Sequence, residues 1–559
     1  MKWDKSVDLL IVGSGGGGMV AALATIDAGF EPLVVEKQSL VGGSTGMSGG
    51  MVWMPNNPLM RADGVADSAE DGLAYLADVV GDIGAASSPA RRETFLSAGS
   101  EMLTFLLRKG VRLQRCQGWS DYYPNHKGGN AAGRAVEGVP FDAAQLGNWC
   151  DKVQPPLAKS YGYVMKTNEV RSVQYFNRSP AALAIATRVF LRTAASKMRK
   201  RELLTNGSSL IAQMLKVLIE FGDGRPPLWT DTAMDDLIVE NGRVVGARVT
   251  RDGKPLNIEA RRGVLLAAGG FGHNAEMRRK YSGDQPNEAK WSIANAGDTG
   301  EVLAAAMELG AKTDMLDEAI WLPTPVAAAS AGSLVAARQR PGAILVDSTG
   351  RRFCNESNSY LEVGKAMYAN KAVPCWLVFD DGYARRYVST SNPLKRGLPA
   401  EPIEQGLIKR ADSIAELARQ IDVPADNLAE AIQRFNRFSA KGLDPDFGRG
   451  QSAYNDCLGD PGHKPNAAIG PLDTAPYYAT MVIPSDVGTC GGVVTDEHAQ
   501  VLDERDQVIG GLYATGNTTA TVMGRTYPGA GASIANTMVF GYVAARHAAG
   551  RRVAGQMSG

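Results

Sequence analysis

The chain alternates between short, wholly apolar runs that break into glycine and longer segments whose apolar residues recur every three or four positions. The first such run is Asp8-Leu9-Leu10-Ile11-Val12, of the length and character of a strand buried on both faces. It opens into Gly13-Ser14-Gly15-Gly16-Gly17-Gly18; residues 19–28 then read as a helix, and Glu31-Pro32-Leu33-Val34-Val35-Glu36 as a second strand ending in an acid. Further on, 237–239 and 244–249 flank Asn241-Gly242, the dipeptide of a tight hairpin turn. Residues 263–271 and 511–517 are again apolar strands running into glycines. Helical spacing governs most of 67–110 and 180–221, and also 413–421, 424–440 and 532–548. Strand, glycine turn, helix and strand in that order predict a Rossmann-type α/β fold.

The glycines carry the first chemical signal. Their spacing is G-x-G-x-x-G at Gly13, Gly15 and Gly18. Gly13 permits the tight turn, Gly15 lets backbone approach a pyrophosphate, and Gly18 lets helix and strand pack closely. The helix N-terminus offers free N–H groups to phosphates, and Glu36 can accept hydrogen bonds from an adenosine ribose. A second glycine-rich segment follows at once: Lys37 leads through Val41 into Gly42-Gly43-Ser44-Thr45-Gly46-Met47-Ser48-Gly49-Gly50. A nicotinamide-binding domain goes straight into its next helix. Flavoproteins of the fumarate reductase and succinate dehydrogenase type instead carry a second loop that runs under the cofactor towards the isoalloxazine ring, and the chain resembles that class. The resemblance implies non-covalently bound FAD. Its contacts would be Gly13, Ser14, Gly15, Gly16, Gly18, Glu36, Lys37, Gly43, Ser44, Thr45, Ser48, Gly49 and Gly50 early in the chain, with Ala268, Gly269, Asp298, Gly516, Asn517, Ser533 and Ile534 later. The helix over 532–548 would point its N-terminus at the flavin and stabilise negative charge there.

Between about 320 and 487 the patterning changes to long helical stretches and irregular loops bearing Trp321, Tyr360, Trp376 and Tyr387. The predicted organisation is a Rossmann-type FAD-binding domain over 1–319 and 488–559, with an inserted α+β catalytic cap domain over 320–487. The 59 basic and 59 acidic residues cancel, so charge gives no argument for nucleic acid. Cys116, Cys150, Cys354, Cys375, Cys457 and Cys490 include no C-x-x-C pair and read as reduced thiols. Neither they nor the five histidines fall at metal-ligand spacing. The chain enters its first strand too soon for a signal peptide, and no apolar run reaches bilayer length, so a cytoplasmic protein is expected.

Four further motifs sharpen the resemblance. They are Asp121-Tyr122-Tyr123-Pro124 with its following glycines, Arg351-Arg352-Phe353-Cys354-Asn355-Glu356-Ser357 through Tyr360, Pro476-Tyr477-Tyr478-Ala479, and Val522-Met523-Gly524-Arg525-Thr526-Tyr527-Pro528-Gly529-Ala530-Gly531. Together they resemble the 3-ketosteroid Δ1-dehydrogenases, which oxidise the C1–C2 bond of a 3-ketosteroid A ring with FAD. A C–H beside a carbonyl becomes acidic when the developing enolate oxygen meets donors set in place beforehand. The resemblance assigns those donors to the Tyr527 hydroxyl and the Gly531 N–H, and the base that removes the C2 proton to Tyr360. Tyr122, or its neighbour Tyr123, would donate a hydrogen bond favouring the phenolate, since free tyrosine ionises only near about pH 10. The C1 hydrogen would leave as hydride to flavin N5. Arg525 departs from the family's pattern, and Ala530 separates the two glycines.

Three alternatives compete. A Δ4-(5α)-dehydrogenase of 3-ketosteroids would draw its base from Tyr478. A fumarate reductase-like enzyme would need arginine and histidine clamps for two carboxylates; Arg338, Arg340, Arg351 and Arg352 read more simply as surface charge or cofactor contacts. The third is a flavin-binding module without turnover. The expected partners are a 3-ketosteroid and an external electron acceptor, a quinone or electron carrier. Residues 180–221, with Lys197, Arg199, Lys200 and Arg201, are either a solvated face over a core or a surface for peripheral membrane contact.

Overall fold

The computed structural model describes residues 2–157, 162–327, 338–388 and 397–551. The strand Lys5–Val12 lies inside an eight-stranded sheet. It pairs in parallel with Lys254–Leu266 on one side and Pro32–Val35 on the other, and Val508–Ala514 and Leu228–Trp229 extend the parallel core. Both faces are covered. Leu9 and Ile11 enter one hydrophobic core and Leu10 and Val12 the other, which is why four apolar residues follow one another without a polar break. Thr232–Glu240 and Arg243–Arg251 form the expected antiparallel hairpin, with Asn241 and Gly242 at positive φ (50° and 75°) in its turn.

The helix Gly16–Asp27 packs on the long closing helix Ala532–Ala548. A Cβ on Gly541 would stand 2.3 Å from the Gly17 carbonyl oxygen, and one on Gly18 2.0 Å from that of Gly13. Gly18 thus serves helix–strand packing, and the closing helix is fixed against the first one.

A second sheet is five-stranded and antiparallel, built from Ala319–Pro325, Ala343–Val346, Cys375–Asp380, Ile408–Ala411 and Tyr477–Thr489. Helices Ile414–Gln420 and Ala425–Ser439 cover one face through Leu417, Leu428, Ile432 and Phe435, packed on Ile344, Val346 and Val378. The alternate residues Leu345, Leu377 and Phe379 pack on Val363 and Met367 of the helix Tyr360–Ala369. Its first residue therefore sits where the second sheet meets the first half of the chain.

Of the arginines read as surface charge or cofactor contacts, Arg338 and Arg340 are buried, Arg352 is half-buried and Arg351 is exposed. Arg352 meets Glu356 at 2.8 Å and Asp444 at 2.9 Å, and Arg449 reaches the same Glu356 at 3.1 Å. Arg449 also donates to the carbonyls of Ala343 (2.7 Å), Arg340 (2.7 Å) and Ala468 (2.8 Å). Burial pushes the Glu356 carboxyl up, but Arg352 and Arg449 outweigh it and hold it below its ordinary value. The charges of Arg352, Glu356, Asp444 and Arg449 are tolerated because they pair with one another, and Arg449 spends its other donors on backbone. The cluster pins the turn from which Tyr360 emerges. Arg449→Ala should cost about 3–5 kcal/mol by leaving Glu356 and the carbonyls underpaired; a thermal midpoint equal to that of the parent would contradict this.

Candidate active site

A cavity of about 1260 Å³ opens at the C-terminal ends of the parallel strands and continues along the second sheet. Val12, Val35, Ala267 and Gly516 mark the strand ends, and Leu322, Leu377, Phe379 and Thr480 the second sheet. This is where an open α/β sheet leaves a crevice for ligands.

At the first end two glycine loops are stitched together. Glu36 accepts hydrogen bonds from the Ser14 N–H (3.0 Å) and hydroxyl (2.7 Å), and Ser14 Oγ in turn accepts one from the Gly42 N–H (3.0 Å). Thr45 Oγ1 accepts from the Gly16 N–H at 3.1 Å. Ser48 donates to the Thr45 carbonyl (2.7 Å), while Ser44 donates to Asp298 (3.1 Å). Lys37 pairs with Glu301 and donates to Thr299 at 2.7 Å. Burial pushes the Asp298 carboxyl up to about 7, although Ser44 and Lys37 draw it down. Every residue read as an FAD contact lines this cavity except Gly18, which packs behind it.

The cradle fits a dinucleotide. A Cβ on Gly15 would project into open space, its nearest neighbour being Thr45 Oγ1 at 3.9 Å, so bare backbone faces the cavity there. Gly15 gives the helix Gly16–Asp27 no side-chain cap, and beyond the Gly16 N–H held by Thr45 the first turn leaves donors for phosphate. The Glu36 carboxylate also accepts from the Gln38 N–H (2.9 Å) and keeps lone pairs for a ribose.

Three tyrosines converge at the other end. The ring centroids of Tyr122 and Tyr360 are 5.5 Å apart, those of Tyr122 and Tyr527 5.6 Å, and those of Tyr360 and Tyr527 5.3 Å. All three line the cavity with Gly531. Burial raises the Tyr360 hydroxyl well above its ordinary value, and its neighbours Tyr122 and Tyr527 add to this; burial does the same to Tyr122. Tyr360 opens its helix, whose N-cap Ser359 accepts from the Glu362 N–H at 3.3 Å.

Gly531 is the N-cap of the closing helix, at φ 89°, and a Cβ there would lie 1.9 Å from the Met51 carbonyl oxygen. Only glycine meets both conditions. Gly531, Ser533 and Ile534 bring the first turn of that helix to the cavity, where its N–H groups have no partner within the helix, and Thr537 adds a residue of the second turn. The Tyr527 hydroxyl pairs with Ser533 Oγ at 3.0 Å, so a residue read only as a cofactor contact also orients the tyrosine.

Tyr122 stands on the loop of the Asp121-Tyr122-Tyr123-Pro124 motif. The loop is fastened by Tyr122 N–H to the Pro528 carbonyl (2.9 Å), which also accepts from the Tyr75 hydroxyl (2.7 Å). Asp121 accepts from Trp53 Nε1 (2.7 Å), Arg134 Nη1 (2.8 Å) and the Asn130 N–H (3.0 Å). Sequence reasoning missed these supports, although a carboxylate directly before Tyr122 and the nearby Arg134 were the available signals. Tyr123 points elsewhere, donating to Glu362 at 2.9 Å. Tyr477 and Tyr478 are not among the described residues lining the cavity; Tyr478 stacks on Phe379 at 5.4 Å. Arg525, half-exposed, forms two 2.8 Å contacts with Asp317.

Residues 8–534 match the family model described as FAD binding domain. A 3-oxosteroid 1-dehydrogenase of Mycolicibacterium smegmatis is 40% identical over 556 residues, 96% of each chain. A 4-oxocyclohex-2-ene-1-carboxylate 5-dehydrogenase of Sinomonas cyclohexanicum is 32% identical, over 98% of this chain and 95% of its own. Among solved structures, 3-ketosteroid Δ1-dehydrogenase from Sterolibacterium denitrificans, in complex with 1,4-androstadiene-3,17-dione, superposes with a TM-score of 0.88 at 34% identity, covering 98% of this chain and 100% of that one.

The double role of Glu36 yields a test. Glu36→Ala should lower the flavin-to-protein ratio of the purified chain by removing both a ribose acceptor and the Ser14 anchor. Glu36→Gln, which keeps an acceptor oxygen, should lose less. Full occupancy in the alanine variant would remove Glu36 from the cradle.

Proposed function

The chain belongs to the 3-oxosteroid 1-dehydrogenases, a group of FAD-binding flavoproteins, and from that premise we propose how its own residues carry the reaction. It is an FAD-dependent oxidoreductase that introduces a C1–C2 double bond into the A ring of 3-ketosteroids. The supporting observation is the convergence of Tyr122, Tyr360, Tyr527 and a helix N-terminus at Gly531 in one cavity with a dinucleotide cradle. The Tyr527 hydroxyl, oriented by Ser533, and the Gly531 N–H receive the C3 oxygen as negative charge builds on it. Tyr360 takes the proton from C2. Tyr122 turns its hydroxyl towards the Tyr360 oxygen as that group ionises. Bound FAD supplies the two-electron acceptor for the C1 hydrogen. The apolar walls exclude water, so the few polar groups act at low dielectric.

Nucleotide binding falls to 1–319 and 488–559, and the cap over the substrate to 320–487, which contributes Tyr360. Reoxidation falls to an external quinone or electron carrier, since the chain carries one dinucleotide fingerprint. Among the described residues no helix is long and apolar enough to cross a membrane. Peripheral contact of a cytoplasmic protein is assigned to Pro180–Met198, where Leu183 (52% exposed), Phe190 (59%), Leu191 (60%) and Met198 (79%) stand free beside Lys197 and Arg199. Leu183 and Phe190 also line the cavity, so an apolar substrate could enter there. Asn206–Phe221 takes no part, because it buries Leu210, Met214 and Leu218.

Anaerobic mixing with androst-4-ene-3,17-dione should bleach the bound flavin and yield the 1,4-diene. Absence of both bleaching and diene would refute the steroid reading. Tyr360→Phe should abolish reduction with FAD still bound, whereas near-parental turnover would exclude it as the base. Tyr527→Phe should slow reduction by roughly 10²–10³, the usual loss for one oxyanion donor; an unchanged rate would remove it from the ketone site. Phe190→Glu with Leu191→Glu should reduce co-sedimentation with anionic vesicles, and equal binding of parent and variant would argue against this face.

A further inference from the structure

Behind the three cavity tyrosines lies a fourth. Tyr454, from the short helix Ala453–Cys457, is fully buried and is not among the described cavity-lining residues. Its ring centroid is 4.4 Å from that of Tyr122, nearer than Tyr360 or Tyr527. The rings therefore run in contact from Tyr527 and Tyr360 through Tyr122 to Tyr454.

The polar atoms around Tyr454 are unusual. Among the described residues no group meets full hydrogen-bond geometry at its hydroxyl, although Tyr122 and Gln339 approach it, and none meets it at Arg338 Nε, Arg338 Nη2 or Gln339 Oε1. Buried polar atoms without partners are costly and rare, so several around one phenol call for an explanation. The polar groups facing Tyr454 are Tyr122, Arg338, Gln339 and Cys457. Arg338 is the positive one. Its other charged neighbours are Arg449 and Glu356, and Glu356 is already paired with Arg352 and Arg449. Arg338 Nη1 donates to the carbonyls of Glu356 and Asn358, the latter at 2.8 Å, which holds the guanidinium in place and leaves its Nε and Nη2 unspent. Burial pulls the guanidinium down from its ordinary value, and Tyr454 pushes it back up. The titratable groups that act most on Tyr360 are the phenols Tyr122 and Tyr527.

We propose that Tyr454 is a positioning residue for proton abstraction: its hydroxyl, backed by the Arg338 guanidinium, supports negative charge on the Tyr122–Tyr360 pair, so that Tyr360 can accept the C2 proton at lower pH. The inference rests on Tyr360 being the base. The C2–H bond breaks with its electron pair left on the substrate and its proton on the Tyr360 oxygen; Tyr454 touches neither and acts through Tyr122. Its hydroxyl donates towards Tyr122 as charge develops, and the guanidinium offsets the loss of solvation that burial imposes on a phenolate.

Tyr454→Phe keeps the ring contact and removes an oxygen that makes no full hydrogen bond, so the fold should hold. Anaerobic flavin reduction by androst-4-ene-3,17-dione, followed from neutral to alkaline pH, should be about tenfold slower near neutrality and approach the parent at high pH, a displacement of about one pH unit. The phenolate ultraviolet titration of the steroid-free holoprotein should lose or displace its lowest step in the same direction, with flavin content unchanged. A rate profile in its parental place overturns the proposal, as does a loss equal at every pH, which is what mere packing would give. Tyr360→Phe, measured beside it, separates the two readings. If that variant turns over normally the base assignment falls first; if it is dead while Tyr454→Phe is unshifted, only the role of Tyr454 falls.

Discussion

The carboxylate of Asp121 gathers what the tyrosine end of the cavity is made from. One oxygen accepts from Trp53, which lies under Gly529, where a Cβ would come within 2.2 Å of the indole; the other accepts from Arg134 and Asn130. Arg134 is itself fully buried and turns its remaining donors to Asp67 at 2.6 and 2.9 Å. Burial pushes Asp121 up to about 6, against the pull of Arg134 and of the Trp53 hydrogen bond. A charge so expensive to bury persists because it ties the Tyr122 loop, the strand Met51–Trp53 and the turn after Tyr527 into one block. The distance between Tyr122 and Tyr527 follows from that block.

Tyr360 reaches the block from outside. It belongs to a helix seated on the second sheet, and its turn is held by Glu356, Arg352 and Arg449 rather than by anything near the flavin cradle. Tyr360 on one side and Tyr527 and Gly531 on the other are thus mounted on separate supports that meet across the cavity. Tyr123 bridges them, its hydroxyl donating to Glu362 on the Tyr360 helix while its N–H donates to Tyr75 (3.2 Å) in the block. The adjacent tyrosines of one motif therefore divide the work, one facing the cavity and one joining the supports.

Much of this was legible in the sequence. The strand–glycine–helix–strand pattern, the Asn241-Gly242 hairpin and the closing helix are local signals, and local backbone physics is enough to read them. The tyrosines were legible only as motif members, because a tyrosine beside proline and glycine is chemically silent until its neighbours are known. What escaped was long-range pairing. Nothing in Arg449 or Glu356 announces that they meet 93 residues apart, and four arginines taken for surface or cofactor charge include two that are buried. Residues 180–221 divide in the same way: Asn206–Phe221 buries Leu210, Met214 and Leu218, whereas Pro180–Met198 leaves Leu183, Phe190 and Leu191 exposed.

The contact between Gly531 and Met51 couples two loops that lie far apart in the chain. Met51 follows directly on Ser48-Gly49-Gly50, the end of the second glycine loop, and its carbonyl occupies the place a Cβ on Gly531 would need. Whatever shifts that loop therefore also shifts the residue that caps the closing helix, so a change in the cradle reaches the far end of the cavity through backbone alone, without passing through any tyrosine.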